Sequence, residues 1–277
     1  MWKLFGNKKT EAGRIKRSYI IYAVAITAGT VFVATASINL ISGKLESIAA
    51  QKEYEMLGEF FPAINSYLES MRDTVTGRDG DDETAEGSPR FERSSGPDVL
   101  SGGVSDPLEA LREINPDFIG WISIGDIMSY PVVLGKNNIY YLDRTFSGKK
   151  NPAGTVFMDS RNETGFDSVV CILYGHNMKD KTMFAQLHKY RESAFMEEHP
   201  DINVITSGGE ILTYRIFAAK LVNDVNRAYR LNFKDYTTAA RVFPNSPETG
   251  SRFLLLSTCT NSSYDFERLL VYAALVG

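Results

Sequence analysis

A single antiparallel or mixed β-barrel, preceded by one membrane-spanning helix, is the fold class this sequence predicts. Three observations predict it. A basic N-terminal segment runs into a long uncharged apolar stretch; short apolar runs of strand length recur at close spacing from residue 118 onward; and few segments there are long and periodic enough for extended helices. No internal repeat is visible, and 277 residues suffice for one core of about 150 to 170 residues with extensions.

The N-terminus sets the compartment. Residues 1–18 carry Lys3, Lys8, Lys9, Arg14, Lys16 and Arg17 against the single acid Glu11, and residues 19–41 contain no charge at all. At about 1.5 Å per residue the second stretch spans a bilayer and exceeds a signal-peptide core. The basic flank stays inside, so the expectation is a single-pass cell-membrane protein whose later domain faces outward. Cleavage after Ala34-Thr35-Ala36 is the alternative, although the apolar run continues past that point. Residues 42–72 read as a juxtamembrane helical stalk or a helix packed on the core, with Met56, Phe60, Ile64, Tyr67, Leu68 and Met71 near one face and Pro62 as an interruption. Residues 73–104, dense in Asp, Glu, Gly, Ser and Arg, read as a flexible acidic linker.

The folded domain is expected over 105–277. Asp106-Pro107 is an N-cap followed by a first-turn proline, Glu109 is positioned for a capping box, and Asn115-Pro116 ends that helix. Strands follow at 118–124, 127–134, 154–158 and 168–174, then helical stretches at 182–190 and 192–198. Strands at 201–207 and 210–221 flank Gly208-Gly209, a two-residue hairpin signal. An insertion at 223–250, with a helix near 234–243, leads into the apolar run 253–259, and a last strand begins at Arg268.

That last pair organises the chemistry. Phe253-Leu254-Leu255-Leu256 passes through Ser257-Thr258 to Cys259 at a strand mouth, and the loop 260–267 returns to Arg268, which can place a guanidinium beside the thiol and favour the nucleophilic thiolate. Cys171, inside Val169-Val170-Cys171-Ile172-Leu173, reads as inert core, although a Cys171–Cys259 disulfide is an alternative in an oxidising compartment. Of the three histidines, His176 ends a strand on Tyr174-Gly175, whereas His188 and His199 read as solvent-facing. There is no short His or Cys pairing for a metal, no cofactor is implied, and a net charge of −4 gives no reason to expect nucleic acid.

These residues also carry a resemblance. Tyr174-Gly175-His176-Asn177-Met178, Leu256-Ser257-Thr258-Cys259 and Arg268 resemble the sortases, extracytoplasmic cysteine transpeptidases of Gram-positive bacteria. Residues 115–122, 130–133, 140–142 and 151–157 resemble the class B branch, so the likeness runs from about Leu108 to Val276. It implies a closed eight-stranded barrel with N-terminal helices and a helix in the loop before the cysteine strand. It implies Cys259 as nucleophile, His176 as general acid and Arg268 as the group holding the substrate oxyanion. Thr258 and Ser257, with Tyr229 and Tyr236 from the insertion, are the expected substrate-binding residues. The implied partners are secreted proteins with a C-terminal sorting motif and an amine of a peptidoglycan precursor or pilin. The insertion looks shorter than the class suggests, which bears on peptide specificity. A papain-like protease is disfavoured because its Cys precedes its His, and a tethered binding module would not need Cys, His and Arg at strand mouths.

Overall fold

The computed structural model describes residues 8–76, 106–223, 225–260 and 266–276. Contacts divide the chain into two compact units, Met1–Ala49 and Ala50–Gly277. Helix α1 spans Lys8–Gly58 and α2 spans Phe60–Thr76. The apolar stretch expected to cross the membrane lies inside α1. The helical segment Thr27–Glu69 contains a window long and apolar enough to span a bilayer, with none of that window buried. The linker expected over 73–104 begins inside α2 and otherwise lies outside the described residues.

The break between α1 and α2 falls at Glu59, three residues before the proline expected to cause it. Pro62 instead occupies the first turn of α2, where an N–H would have no intrahelical acceptor and none is lost. From Ala50 onward these helices contribute to the folded core. Leu57, Ile64 and Leu68 are buried in a cluster with Leu108, Leu111, Trp121 and Phe157, and Phe61 stacks on Trp121 with centroids 6.1 Å apart.

Helix α3, Pro107–Ile114, starts as its sequence suggests: Asp106 accepts from the Leu108 N–H at 2.8 Å. Glu109 does not complete a capping box; it pairs with Arg112 one turn later at 2.6 Å. Eight strands follow: β1 (Phe118–Ile124), β2 (Met128–Val133), β3 (Val156–Met158), β4 (Val170–Tyr174), β5 (Asp201–Thr206), β6 (Ile211–Asn223), β7 (Phe253–Cys259) and β8 (Glu267–Leu275). They close in the order β1-β2-β3-β4-β7-β8-β6-β5, with β5 pairing back onto β1. The expected barrel is observed, and it is mixed: β2/β3 and β4/β7 run parallel, the other pairs antiparallel. The Gly208-Gly209 hairpin closes through three residues rather than two, because Thr206 N–H still bonds Glu210 O at 2.8 Å.

Strand β7 is apolar on both faces because both faces are covered. Leu254 and Leu256 point into the barrel with Leu173, Val271 and Met158, while Phe253 and Leu255 point outward under the insertion with Tyr236, Phe243 and Tyr272. Helix α4 spans Ser193–Glu198, and the insertion carries α5, only Tyr236–Ala240, with a 3-10 turn at Arg227–Tyr229. The stretch 182–190 folds as a 3-10 helix, Phe184–Arg191, rather than an α-helix.

A chain truncated to begin at residue 104 loses Leu57, Ile64, Leu68 and the Phe61–Trp121 stack. At roughly 1.5–3 kcal/mol per fully buried large side chain, it should unfold at clearly lower urea concentration than a chain beginning at residue 50. Coincident urea unfolding curves would show that the helices add nothing to the barrel.

Candidate active site

The carboxyl end of β7 is where three candidate residues meet. β7 pairs with β8 so that Cys259 and Arg268 are direct cross-strand partners, and with β4 so that Tyr174 lies opposite Ser257. The Gly175 N–H donates to the Ser257 carbonyl at 3.2 Å, which extends that pairing one residue and delivers His176 to the same barrel mouth. Cys259, His176 and Arg268 line one cleft of about 270 Å³ together with Thr258, Leu142 and Asn138. Cys259 is the exposed last residue of its strand, after six buried ones. Thr258 is buried at the base of the cysteine, and its hydroxyl has no hydrogen-bond partner among the described residues.

His176 is held by backbone. Its Nε2 lies 2.7 Å from the Leu142 carbonyl, which can only accept, so Nε2 carries the hydrogen and Nδ1 is the nitrogen left to take up or give a proton. The ring is also confined sterically. Gly154 has φ +61, and a Cβ there would sit 2.7 Å from Tyr141 O, 2.8 Å from Leu142 O and 3.0 Å from His176 Cδ2. The Gly154 carbonyl in turn accepts from the Tyr54 hydroxyl, which also lies 3.2 Å from Thr155 Oγ1. α1 thereby reaches the loop that backs the histidine.

The cleft wall is braced by a buried carboxylate just after β3. Asp159 accepts from Arg161 Nε and Nη2 at 2.9 and 2.7 Å and from the Tyr174 hydroxyl at 2.8 Å. Burial alone would raise its pKa, but hydrogen bonds from Arg161, Tyr174 and Asn138 outweigh that and hold it at about 2. Tyr174 is stacked against Tyr229, centroids 6.4 Å apart, and the Tyr229 hydroxyl lies 2.8 Å from Ser257 Oγ. Tyr229 therefore supports two cleft-lining residues, Tyr174 and Ser257.

Tyr236 does not reach the cleft. It is buried against Phe253, centroids 4.3 Å apart, and its hydroxyl donates to Pro247 O and Thr249 O within the insertion. The paired cysteines of the disulfide alternative are kept apart by register: Cys171 lies opposite Leu254, five residues short of Cys259, or about 16 Å along the strand. Both thiols are free. Burial pushes the Cys171 thiol up to about 12, which leaves it a protonated core residue.

The family profile described as the sortase domain matches residues 123–276. The chain belongs to the sortase family. It is 33% identical to sortase B of Listeria monocytogenes over 190 residues, covering 64% of this chain and 77% of that protein. The fold resembles Clostridium perfringens sortase B, with a TM-score of 0.54 and 27% identity over 61% of this chain and 99% of that one. It also resembles a Staphylococcus aureus sortase B–substrate complex, with a TM-score of 0.53 and 29% identity over 61% and 84%. The class B likeness read from the motifs is thus borne out, and as a sortase this protein is a cysteine transpeptidase.

Around this sortase's cleft, several supporting residues carried no legible signal in the sequence. Asp159 and Arg161 are ordinary loop charges until the fold brings Tyr174 to them. Tyr54 meets Gly154 across 100 residues of sequence. His188, read as solvent-facing, places Nε2 3.0 Å from the Cys259 carbonyl. A second hollow of about 410 Å³, lined by Asp117, Lys136 and Tyr140 among others, contains none of the candidate catalytic residues.

Two outcomes test this geometry. Gly154→Ala should lower peptide turnover at least tenfold, because backbone at Tyr141 and Leu142 must yield, whereas Gly148→Ala, also at positive φ but in open space, should not. Similar kinetics for both variants would separate Gly154 from the histidine. Asp159, depressed from 3.8 to about 2, contributes stability that is fully present above pH 4 and lost as pH falls through 2. Asp159→Asn should therefore be less stable than wild type by about 2 kcal/mol at pH 7, and urea midpoints of the two should converge towards pH 2.

Proposed function

We propose that this sortase is a membrane-anchored, extracytoplasmic transpeptidase. In this reading it cleaves a C-terminal sorting signal of secreted proteins through a thioester at Cys259 and transfers the acyl group to an amine of the cell wall or a pilin subunit. The observation that carries the reading is the cross-strand pairing of Cys259 with Arg268 in the cleft that also contains His176. The basic N-terminal flank and the apolar stretch of α1 support the orientation, with the barrel outside. The solved S. aureus relative is described as a sortase B–substrate complex.

The chemistry follows from these three groups. The Cys259 thiolate attacks the scissile carbonyl, forming an S–C bond and a tetrahedral oxyanion. A guanidinium stays charged at any working pH, and that of Arg268 offers several donors to that oxygen. Collapse breaks the C–N bond while His176 gives its proton to the departing amine, leaving a thioester. The acceptor amine then attacks the thioester carbonyl, the sulfur departs as thiolate, and His176 takes the proton from the new amide nitrogen. Water in place of the amine would give hydrolysis instead.

The test uses Asn-Pro-x-Thr and Pro-x-Thr-Gly peptide libraries with an added amine, read by mass spectrometry. Cys259→Ala should abolish cleavage and transfer. His176→Ala should fail in acylation. Arg268→Lys keeps the charge but loses the planar donor array, and should cost on the order of 100- to 1,000-fold in turnover. A Cys259→Ala/Arg268→Ala double variant should be no worse than Cys259→Ala alone. Wild-type turnover by Arg268→Ala would remove the arginine from the mechanism, and hydrolysis unaffected by any added amine would favour a protease.

A further inference from the structure

We propose that His188 is a positioning residue for the nucleophile, its Nε2–H replacing a missing strand partner on the Cys259 carbonyl. Successive carbonyls of a strand alternate between its two neighbours, so the Ser257 and Cys259 oxygens face the same side. On that side Ser257 O is satisfied by the Gly175 N–H at 3.2 Å, the last contact β4 makes with β7. Beyond Gly175 the chain turns away: His176 O accepts from Phe184 N–H at 2.9 Å as the backbone folds into the 184–191 helix. The next carbonyl on that side of β7, that of Cys259, has therefore outrun β4.

His188 fills that position. Its Nε2 lies 3.0 Å from Cys259 O, and because a carbonyl only accepts, the imidazole is the donor. The helix that carries it is firmly seated. Leu187 and Tyr190 on either side are buried in the barrel interior with Phe184, and the Tyr190 hydroxyl donates to His199 O at 2.8 Å. The contact is to the backbone of Cys259 rather than to its sulfur, so His188 fixes where the thiol stands and takes no part in proton transfer. A strand-end residue with an exposed side chain would otherwise fray readily. With it held, the sulfur keeps a constant relation to Arg268 across the ladder and to His176 at the end of β4.

The kinetic part of this inference rests on Cys259 being the nucleophile, so it is paired with a readout that needs no substrate. The full chain in detergent micelles is compared with His188→Ala and His188→Gln, whose amide nitrogen reaches about as far as Nε2. Amide hydrogen exchange is followed by mass spectrometry over the peptide 253–260, and kcat and KM are measured with the best-cleaved peptide of the two libraries. His188→Ala should speed exchange at the end of β7 and lower kcat about five- to tenfold, as expected for one lost neutral hydrogen bond, with KM unchanged. His188→Gln should restore both to within about twofold of wild type, a rescue that a purely space-filling role would not show. Unchanged exchange and kcat in His188→Ala would overturn the proposal. So would a His188→Gln variant no better than His188→Ala at equal melting temperature, or an effect confined to KM. If wild type turns over no peptide of either library, the transpeptidase reading fails on its own, and the exchange comparison alone decides the role of His188.

Discussion

Strand β7 is the constraint on which the cleft end of this barrel depends. It is the one strand flanked by the carriers of both other candidate groups, β4 in parallel and β8 antiparallel. A parallel neighbour ends at the same barrel mouth as β7, and an antiparallel neighbour begins there. The last residue of β7, the residues just past β4 and the first residues of β8 therefore converge without any special loop. Register does the rest. A one-residue slip would turn Cys259 from the cleft and send Leu254 and Leu256 out of the interior, so burial of those leucines specifies the position of the thiol.

The same burial explains which parts of the chain were legible in sequence. β1 and β7 appear with the expected bounds because their runs end on turn or polar residues just where burial ends. The arginine opposite the cysteine was legible because an eight-residue polar loop between two apolar runs leaves little freedom in pairing. The insertion was less so. A helix expected over 234–243 shrinks to Tyr236–Ala240 because Tyr236 and Phe243 pack on Phe253, and the Tyr236 hydroxyl is satisfied by carbonyls further along the insertion. Apolar aromatic content in a loop does not say whether the rings face a cleft or the barrel wall. Here Tyr229 braces the cleft and Tyr236 braces the wall.

What sequence reasoning missed shares one physical character: partners joined by backbone carbonyls. Leu142 O holds His176, Gly154 O holds Tyr54 and Cys259 O holds His188. A carbonyl is present at every position, so no residue type marks it. Only the donor is visible in the sequence, and a His or Tyr in a polar or helical context reads as a surface residue. Asp159 is a related case, since its depressed pKa requires Arg161, Tyr174 and Asn138 to converge on one buried oxygen pair.

The contact from Tyr54 to the histidine loop raises the question of whether α1 switches the site or braces it. A switch needs an element with two discrete arrangements. Tyr54 is instead packed edge-on against Tyr130 at 5.6 Å, its phenol is kept protonated by burial, and its hydroxyl meets both Gly154 O and Thr155 Oγ1. One residue earlier, Glu53 accepts from the Ser147 N–H at 2.9 Å. Downstream, Leu57, Ile64 and Leu68 sit in a packed cluster with Trp121. Contacts distributed over the segment from Glu53 to Leu68 must all break before the loop at Gly154 is released, and each is of the kind found inside a folded core. The segment is therefore a brace, and its hold on Gly154 fixes the floor against which His176 is packed.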